Sequence, residues 1–417
     1  MTDQDTKGLP ARRAALRMMD AVLRRGETLD NAAHAACQGI KAREDRALAR
    51  ALAGEALRWL VDLDALIDSA TRQILPEDAK PRAVLRLMLA GWLRLGTPPH
   101  AVVATGLDLL QGGPRRLAHG VFSTLVKRNA TLPETPSLPE AVAARWGERA
   151  LPVAQGLAVP PPLDLTLRDS GRDPAETALW AEKLGGISLM PGHLRLSRGS
   201  AVETLEGFNE GAWWVQDLAA AIPARLIGAG SGRALDLCAA PGGKTMQLAA
   251  LGWDVTALDQ SARRLELVRE NLTRTALNAE TIVADALKWE PEGLFDAILI
   301  DAPCTATGTA RRHPDVLHRI GARAIADMAE IQKALITRAA GWLKPGGRLV
   351  YAVCSLEREE GEDQAAQVAG LVADPVRASE LPSGVAPTAE GWVRTDPGML
   401  AEQGGLDGFF VARWQKG

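Results

Sequence analysis

Residues 235–245 read LDLCAAPGGKT. An apolar run that ends in a glycine turn and opens a helix is how open α/β sheets bring backbone amides close to a ligand, at the carboxyl edge of a strand. Three ligand classes compete for such a turn. A P-loop requires glycine six residues before its lysine; that position is Cys238, so Gly243-Lys244-Thr245 is a partial match. A dinucleotide fold requires G-x-G-x-x-G after the strand, whereas only Gly242-Gly243 follows, and GAGSG (228–232) precedes the strand and reads as a loop. The third class is a nucleoside ligand without phosphates. Asp259, Asp285 and Asp301 close the next three predicted strands, where carboxylates repel a pyrophosphate but suit a sulfonium such as S-adenosylmethionine. Asp259 is placed for ribose hydroxyls and Asp285 for an adenine amino group. The competing explanation is that each Asp caps the helix after it.

Outward from the turn, strands and helices alternate. ALDL, DVTALD, TIVAD, FDAILID and RLVYAVC predict a doubly wound, mainly parallel sheet, and WVRT (392–395) with FFVARW (409–414) predicts an antiparallel hairpin at one edge. Upstream, LDLTLR (163–168) and HLRLS (193–197) alternate like strands around a helix at 173–185, which begins with an Asp cap and a first-turn proline. The first 130 residues are helical throughout. Ala15, Met18, Met19, Val22 and Leu23 recur at three-and-four spacing up to Gly26, a longer segment runs through 48–61, and further helices cover about 80–95, 99–111 and 116–128. NATLPETPSLPE (129–140) reads as a linker, followed by a helix over 139–157. The domain boundaries expected are 1–132 for a helical bundle, 140–212 for a small α/β connector and 213–417 for the sheet domain.

The 417 residues suit two or three domains, and the mix of 47% hydrophobic and 24% charged residues is that of a folded chain. No uncharged apolar run of about 18 residues occurs, and MTDQDTKGLPARR has no apolar core after its charges, so neither a membrane span nor a secretory signal is expected. The net charge of −3 conceals a division: residues 1–135 carry +5 and the remainder −8. A basic N-terminal part fits contact with phosphates.

Four cysteines in so long a chain make no disulfide framework and point to a reducing cytoplasm. Cys37 sits on a helical apolar pattern and reads as packing; Cys238 lies in the glycine turn and reads as part of a cofactor wall. Cys304, in DAPCTATG, and Cys354, in VYAVCSLE, follow the fourth and fifth strands and should open on the same edge as the turn. Without C-x-x-C spacing, and without convincing partners for His313 and His318, no metal is expected. Covalent catalysis fits better. The C5 carbon of a pyrimidine is a poor nucleophile until a thiolate adds at C6 and makes it enamine-like. The adduct must afterwards lose its C5 proton and eliminate the thiolate, a two-stage task suited to two thiols, with Lys244 and Asp301 beside the base. Spacing does not say which thiol attacks.

CAAPGGKT (238–245), Asp259, Asp285, DAPCTATG (301–308), RRHPD (311–315), KPGG (344–347) and Cys354-Ser355, in this order, resemble the Sun/Fmu family of RNA 5-methylcytosine methyltransferases, of the bacterial RsmB type. WWVQDLAA (213–220) resembles that family's approach to the cofactor site, and LARALAGEALRW (48–59) with FSTLVKRN (122–129) resemble a NusB-like RNA-binding domain. The resemblance implies an all-α NusB-like bundle, a small α/β connector (an RRM-like subdomain) and a C-terminal Rossmann-like class I methyltransferase. It implies S-adenosylmethionine bound by Cys238, Ala239, Ala240, Pro241, Gly242, Gly243, Lys244, Asp259, Asp285 and Asp301. It also implies Cys354 as the nucleophile, Cys304 assisting release, and Asp301 and Lys244 among the catalytic residues. The expected activity is cytosine-C5 methylation of 16S small-subunit rRNA by a cytoplasmic monomer without metal or membrane. The alternatives are the same chemistry on a tRNA or other RNA, or an RNA-binding assembly factor that keeps the fold. Departures from the family pattern are Val353 for Thr, Thr305 for Ser, and Arg358 and Gly361 for Pro and Asn; residues 163–197 lack its Arg-x-Asn.

Overall fold

The structure is a computed structural model that describes residues 8–169 and 173–417; residues 1–7 of the N-terminal stretch and 170–172 of the connector lie outside the described residues. The chain divides into two compact units, Met1–Val159 with Ala310–Ile320, and Pro160–Thr309 with Gly321–Gly417.

The first unit is helical: α1 (Leu9–Arg25), α2 (Leu29–Ala36), α3 (Arg43–Arg58), α4 (Leu60–Ser69), α5 (Lys80–Leu93), α6 (Pro99–Gly106), α7 (Gly112–Lys127), α8 (Glu140–Trp146) and α9 (Ala150–Leu157). The apolar stripe of α1 is buried through Ala14, Ala15, Met18, Met19 and Val22, and Gly26 ends the helix in the left-handed conformation (φ 67°). Two expected helices are each broken. The stretch through 48–61 splits at Trp59, whose fully buried indole carries the Arg94 guanidinium 4.6 Å above its ring. The stretch 139–157 splits after α8, at Gly147 (φ 54°). The proline-rich stretch is irregular but anchored, because Ser137 donates from its amide (2.9 Å) and its hydroxyl (2.7 Å) to Asp62.

Several arginines here are structural. Arg86 forks onto Asp64 (2.7 and 2.6 Å), Arg82 binds Asp64 and Asp68, and Arg58 donates to Glu55 and to the carbonyls of Leu157 and Arg311. The segment 310–320 carries a short helix, Val316–Arg319, and the His318 ring nitrogen Nε2 lies 2.7 Å from the Leu57 carbonyl.

The second unit begins with a three-stranded antiparallel sheet, β1 (Leu163–Leu167), β2 (His193–Leu196) and β3 (Trp213–Val215), in the order β2-β1-β3. Between β1 and β2 lies α10 (Pro174–Leu184), with Asp173 accepting the Ala175 amide as its cap. Inside this sheet Arg195 forks onto the buried Asp164 at 2.7 Å.

The larger sheet contains β4 (Arg233–Leu237), β5 (Asp254–Asp259), β6 (Glu280–Val283), β7 (Phe295–Asp301), β8 (Leu343–Val353), β9 (Val372–Ala373), β10 (Val393–Thr395) and β11 (Phe409–Gln415). Its order is β10-β11-β8-β7-β4-β5-β6, with β9 beside β11; β4 to β8 pair in parallel, and β10 and β11 form the expected antiparallel edge hairpin. Four helices position the site: α11 (Leu218–Ile227), α12 (Gly243–Ala250), α13 (Ala262–Thr275) and α14 (Ala322–Gly341). From β4 the chain winds outward through β5 and β6, then returns to β7 on β4's other side. That reversal opens a crevice at the carboxyl ends of β4 and β7. Among the described residues, no helix is long and apolar enough to cross a membrane.

Candidate active site

The glycine turn sits in this crevice. Cys238 leaves β4 with φ 62°, the Ala239 amide donates to the Leu258 carbonyl (3.1 Å), and Gly242 (φ 100°) precedes the first turn of α12. A Cβ at Gly242 would lie 3.0 Å from Val268 of α13, so glycine is what lets the turn pack there. Burial, with Asp301, Asp259 and Asp236 nearby, pushes the Cys238 thiol up to about 12, which keeps it protonated and suits a wall residue.

Asp259 ends β5 and is almost closed from solvent; its carboxylate accepts the Ala240 amide (3.2 Å) and the Ser261 amide (2.9 Å). It therefore joins the turn to β5 and holds Ser261, whose hydroxyl caps α13 by accepting the Arg264 amide (3.3 Å). Asp285 stands two residues beyond β6, half-exposed, accepting the Leu287 amide (3.0 Å), with Lys288 3.3 Å away. Asp301 ends β7 and meets Lys244 Nζ at 2.7 Å. Burial opposes the charge on Lys244, but the Asp301 carboxylate outweighs it and holds the pKa above the ordinary lysine value. The ammonium also lies 5.4 Å above the Phe409 ring.

In the parallel pair β7–β8, Asp301 is in register with Ala352, so the loops after both strands emerge side by side. Their thiols meet: Cys304 Sγ lies 3.5 Å from Cys354 Sγ. The hydrogen bond to Cys354 and burial hold the Cys304 thiol well above its ordinary pKa. The Gly308 amide donates to the Cys354 carbonyl (3.0 Å), and the Gly308 carbonyl accepts from Gly408 (2.8 Å). Cys37, by contrast, packs half-buried against the helical core of the first unit.

With this geometry, comparison with known proteins is decisive. Residues 228–415 match the family described as 16S rRNA methyltransferase RsmB/F, and residues 9–112 match the NusB family. Ribosomal RNA small subunit methyltransferase B of Xylella fastidiosa (strain Temecula1) is 35% identical over 97% of this chain and 98% of its own length. The protein of the same name from Klebsiella pneumoniae is 32% identical over 98% of each.

The chain belongs to the RsmB/F methyltransferase family.

Solved structures agree on the fold. The crystal structure of PH0851 covers 98% of this chain and 99% of its own with a TM-score of 0.72 at 22% identity. A methyltransferase homologue from Pyrococcus horikoshii covers 70% and 98% with a TM-score of 0.57 at 25% identity. The helical NusB domain and the Rossmann-like methyltransferase domain expected from the sequence are both present.

Two groups of this RsmB/F-family site were not singled out by sequence reasoning. Asp236, in the middle of LDLC, is fully buried; it accepts the Thr245 hydroxyl at 2.6 Å, while its second oxygen has no partner. Burial pushes this carboxyl up to about 7. An unfolded aspartate titrates near about 3.9, so between roughly pH 4 and pH 7 only the native state keeps the proton. Stability is therefore lost as pH rises through that window, by on the order of 4 kcal/mol. Asp236→Asn should flatten this dependence and make the variant the more stable protein at pH 8, as urea unfolding at pH 5 and pH 8 will read.

The second group is Glu360, which stands between Arg358 and Gly361, the two departures from the family pattern after Cys354. It accepts hydrogen bonds from residues on both thiol loops. Gly361 is forced as well, since a Cβ there would lie 2.4 Å from Arg394 Nη2 and 2.9 Å from Phe410. Gly308 is tighter still, with an added Cβ 1.9 Å from the Gly408 carbonyl oxygen. Backbone faces backbone there, so neither side yields easily. Gly308→Ala should cost about 3 kcal/mol, measured by denaturant unfolding.

Proposed function

We propose that this chain is an S-adenosylmethionine-dependent RNA cytosine-C5 methyltransferase acting on small-subunit rRNA, through a covalent bond from Cys354 to C6 of the target base. The observation that carries the proposal is the pair of thiols 3.5 Å apart at the ends of adjacent parallel strands, in the same unit as the Lys244–Asp301 ion pair. The names of the curated relatives, ribosomal RNA small subunit methyltransferase B, support the substrate.

The donor set suits the cofactor. Asp301 is paired with the buried Lys244, whereas the cations beside Asp259 and Asp285, Arg264 and Lys288, are solvent-exposed, so the carboxylates at these strand ends favour a cationic ligand without phosphates over a nucleotide. Cys238, Ala239, Ala240, Pro241, Gly242 and Gly243 would line it, with Lys244, Asp259, Asp285 and Asp301 around it. S-adenosylmethionine, when bound, supplies an electrophilic methyl group. The protein's own groups do the rest. The target cytosine must leave its stack to reach the crevice. Lys244 and Asp301 hold and polarise the base, and Cys354 adds to C6, which makes C5 nucleophilic. Once C5 is methylated, Cys304, having first lost its own proton to water, removes the C5 proton as a thiolate, the C5–C6 double bond re-forms, and Cys354 leaves as thiolate. The NusB-like unit and the three-stranded sheet would hold RNA mainly through its backbone.

Bisulfite sequencing of 16S rRNA from cells with and without the protein tests the reading. One cytosine should resist conversion only when the protein is present. Identical conversion patterns in both rRNAs would remove the proposed substrate.

A further inference from the structure

The mechanism above leaves unexplained how two thiols on separate loops are held within 3.5 Å of each other. No disulfide joins them, and each loop leaves its own strand. The direct bonds that backbone amides make between the loops, from the Gly308 amide to the Cys354 carbonyl and from the Leu356 amide to the Thr307 hydroxyl (both 3.0 Å), engage the Cys304 loop only beyond Thr305. The residue after each cysteine, however, ends on the same side chain. The Thr305 amide donates to Glu360 Oε1 at 2.8 Å, and the Thr305 hydroxyl donates to Oε2. The Ser355 hydroxyl also donates to Oε2. Gln332, from α14, donates to Glu360 Oε1 (3.1 Å) and to the Pro303 carbonyl (2.9 Å) through the same amide nitrogen. Cys304 is thus bracketed: the residue before it is held by Gln332 and the residue after it by Glu360. The Glu360 main chain is held too, since the Tyr351 hydroxyl donates to its backbone carbonyl at 2.6 Å.

Glu360 has no exposed surface, and a fully buried carboxylate is an expensive way to fill space. A hydrophobic residue of similar volume would pack there at lower cost. What a hydrophobic residue lacks is two oxygens able to receive four donors from three elements at once. We infer that Glu360 is a positioning residue for both thiols: its carboxylate ties Thr305 and Ser355 together and so sets the Cys304–Cys354 separation. The inference rests on the two-thiol mechanism proposed above and adds the group that makes its geometry possible. Glu360 touches neither base nor cofactor; it acts through the two loops.

Glu360→Gln keeps the shape and one acceptor, while the Ser355 and Thr305 hydroxyls can turn to accept from the new amide. The fold should survive but the clamp should loosen, and an error of about 1 Å at reacting groups costs on the order of 100-fold. The expected result is a kcat about 100-fold lower, with the KM for rRNA and the affinity for S-adenosylmethionine close to those of the unaltered enzyme. A merely structural role would lower cofactor affinity and melting temperature together with kcat. In a Cys304→Ala background, which should accumulate the covalent RNA adduct, adding Glu360→Gln should slow adduct formation by a similar factor. Equal rates with and without Glu360→Gln would overturn the positioning role alone. Absence of any adduct in the Cys304→Ala enzyme itself would overturn the covalent reading and this inference with it. Should Glu360→Gln fail to fold, Ser355→Ala decides: it removes the Cys354 loop's donor to Glu360, together with the Ser355 hydroxyl's contacts to Thr305 (3.4 Å) and Thr307 (3.3 Å), and an unchanged kcat there would equally sink the proposal.

Discussion

Cys354→Ala is expected to lower methyl transfer to rRNA by about 10⁴-fold or more while leaving S-adenosylmethionine binding unchanged. The size follows from what the thiol provides. Without addition at C6, C5 has no enamine character and the electrophilic methyl group finds no carbon nucleophile. The contacts proposed for the cofactor lie elsewhere, on the glycine turn and the carboxylates at or beyond the ends of β5, β6 and β7, so binding should survive. A methyl-transfer assay with unmodified 16S rRNA, paired with calorimetry for the cofactor, reads both quantities. Transfer within tenfold of the unaltered enzyme would show that Cys354 is not the nucleophile.

The second large effect is of a different kind. Cys304→Ala should let addition and methylation proceed and then stall, leaving protein joined to RNA in a gel band that survives denaturation. In the resting state Cys304 is protonated. Its thiol is held well above the ordinary pKa, and the largest cause is the hydrogen bond to Cys354. When the Cys354 sulfur is bonded to carbon, that contribution is weakened, while burial and Glu360 go on raising the Cys304 thiol. If Cys304→Ala instead abolished the adduct and Cys354→Ala accumulated it, the two roles would have to be exchanged.

Much of this was legible in the sequence. The alternation of strands with helices after residue 233 and the edge hairpin all appear where periodicity put them. So do the strand-end positions of Asp259, Asp301 and the two thiols. The helix breaks at Trp59 and Gly147 were not legible, because three-and-four spacing continues across both and only tertiary packing or a positive φ interrupts the chain. The charge count was a coarse guide for the same reason. Arg58, Arg82 and Arg86 contribute to the excess of +5 in residues 1–135, yet they are buried and serve internal carboxylates and carbonyls. Glu360 escaped notice because its importance is a matter of convergence. Thr305, Gln332 and Ser355 are far from one another in the chain, and no local motif records that they meet on one carboxylate.

The assignment of residues 310–320 to the helical unit has a consequence for biosynthesis. Domains normally fold as they emerge, the N-terminal one first, while synthesis proceeds at about 5–20 residues per second. Here the helical unit lacks part of itself when Val159 is made. Arg58, already buried among its neighbours, has yet to meet the carbonyl of Arg311, and the Leu57 carbonyl has yet to meet His318. The missing piece arrives only after the strands β1 to β7 have been synthesised, a delay of about 8 to 30 s at that rate. The N-terminal unit begins first and is completed late, with much of the methyltransferase sheet already outside the ribosome.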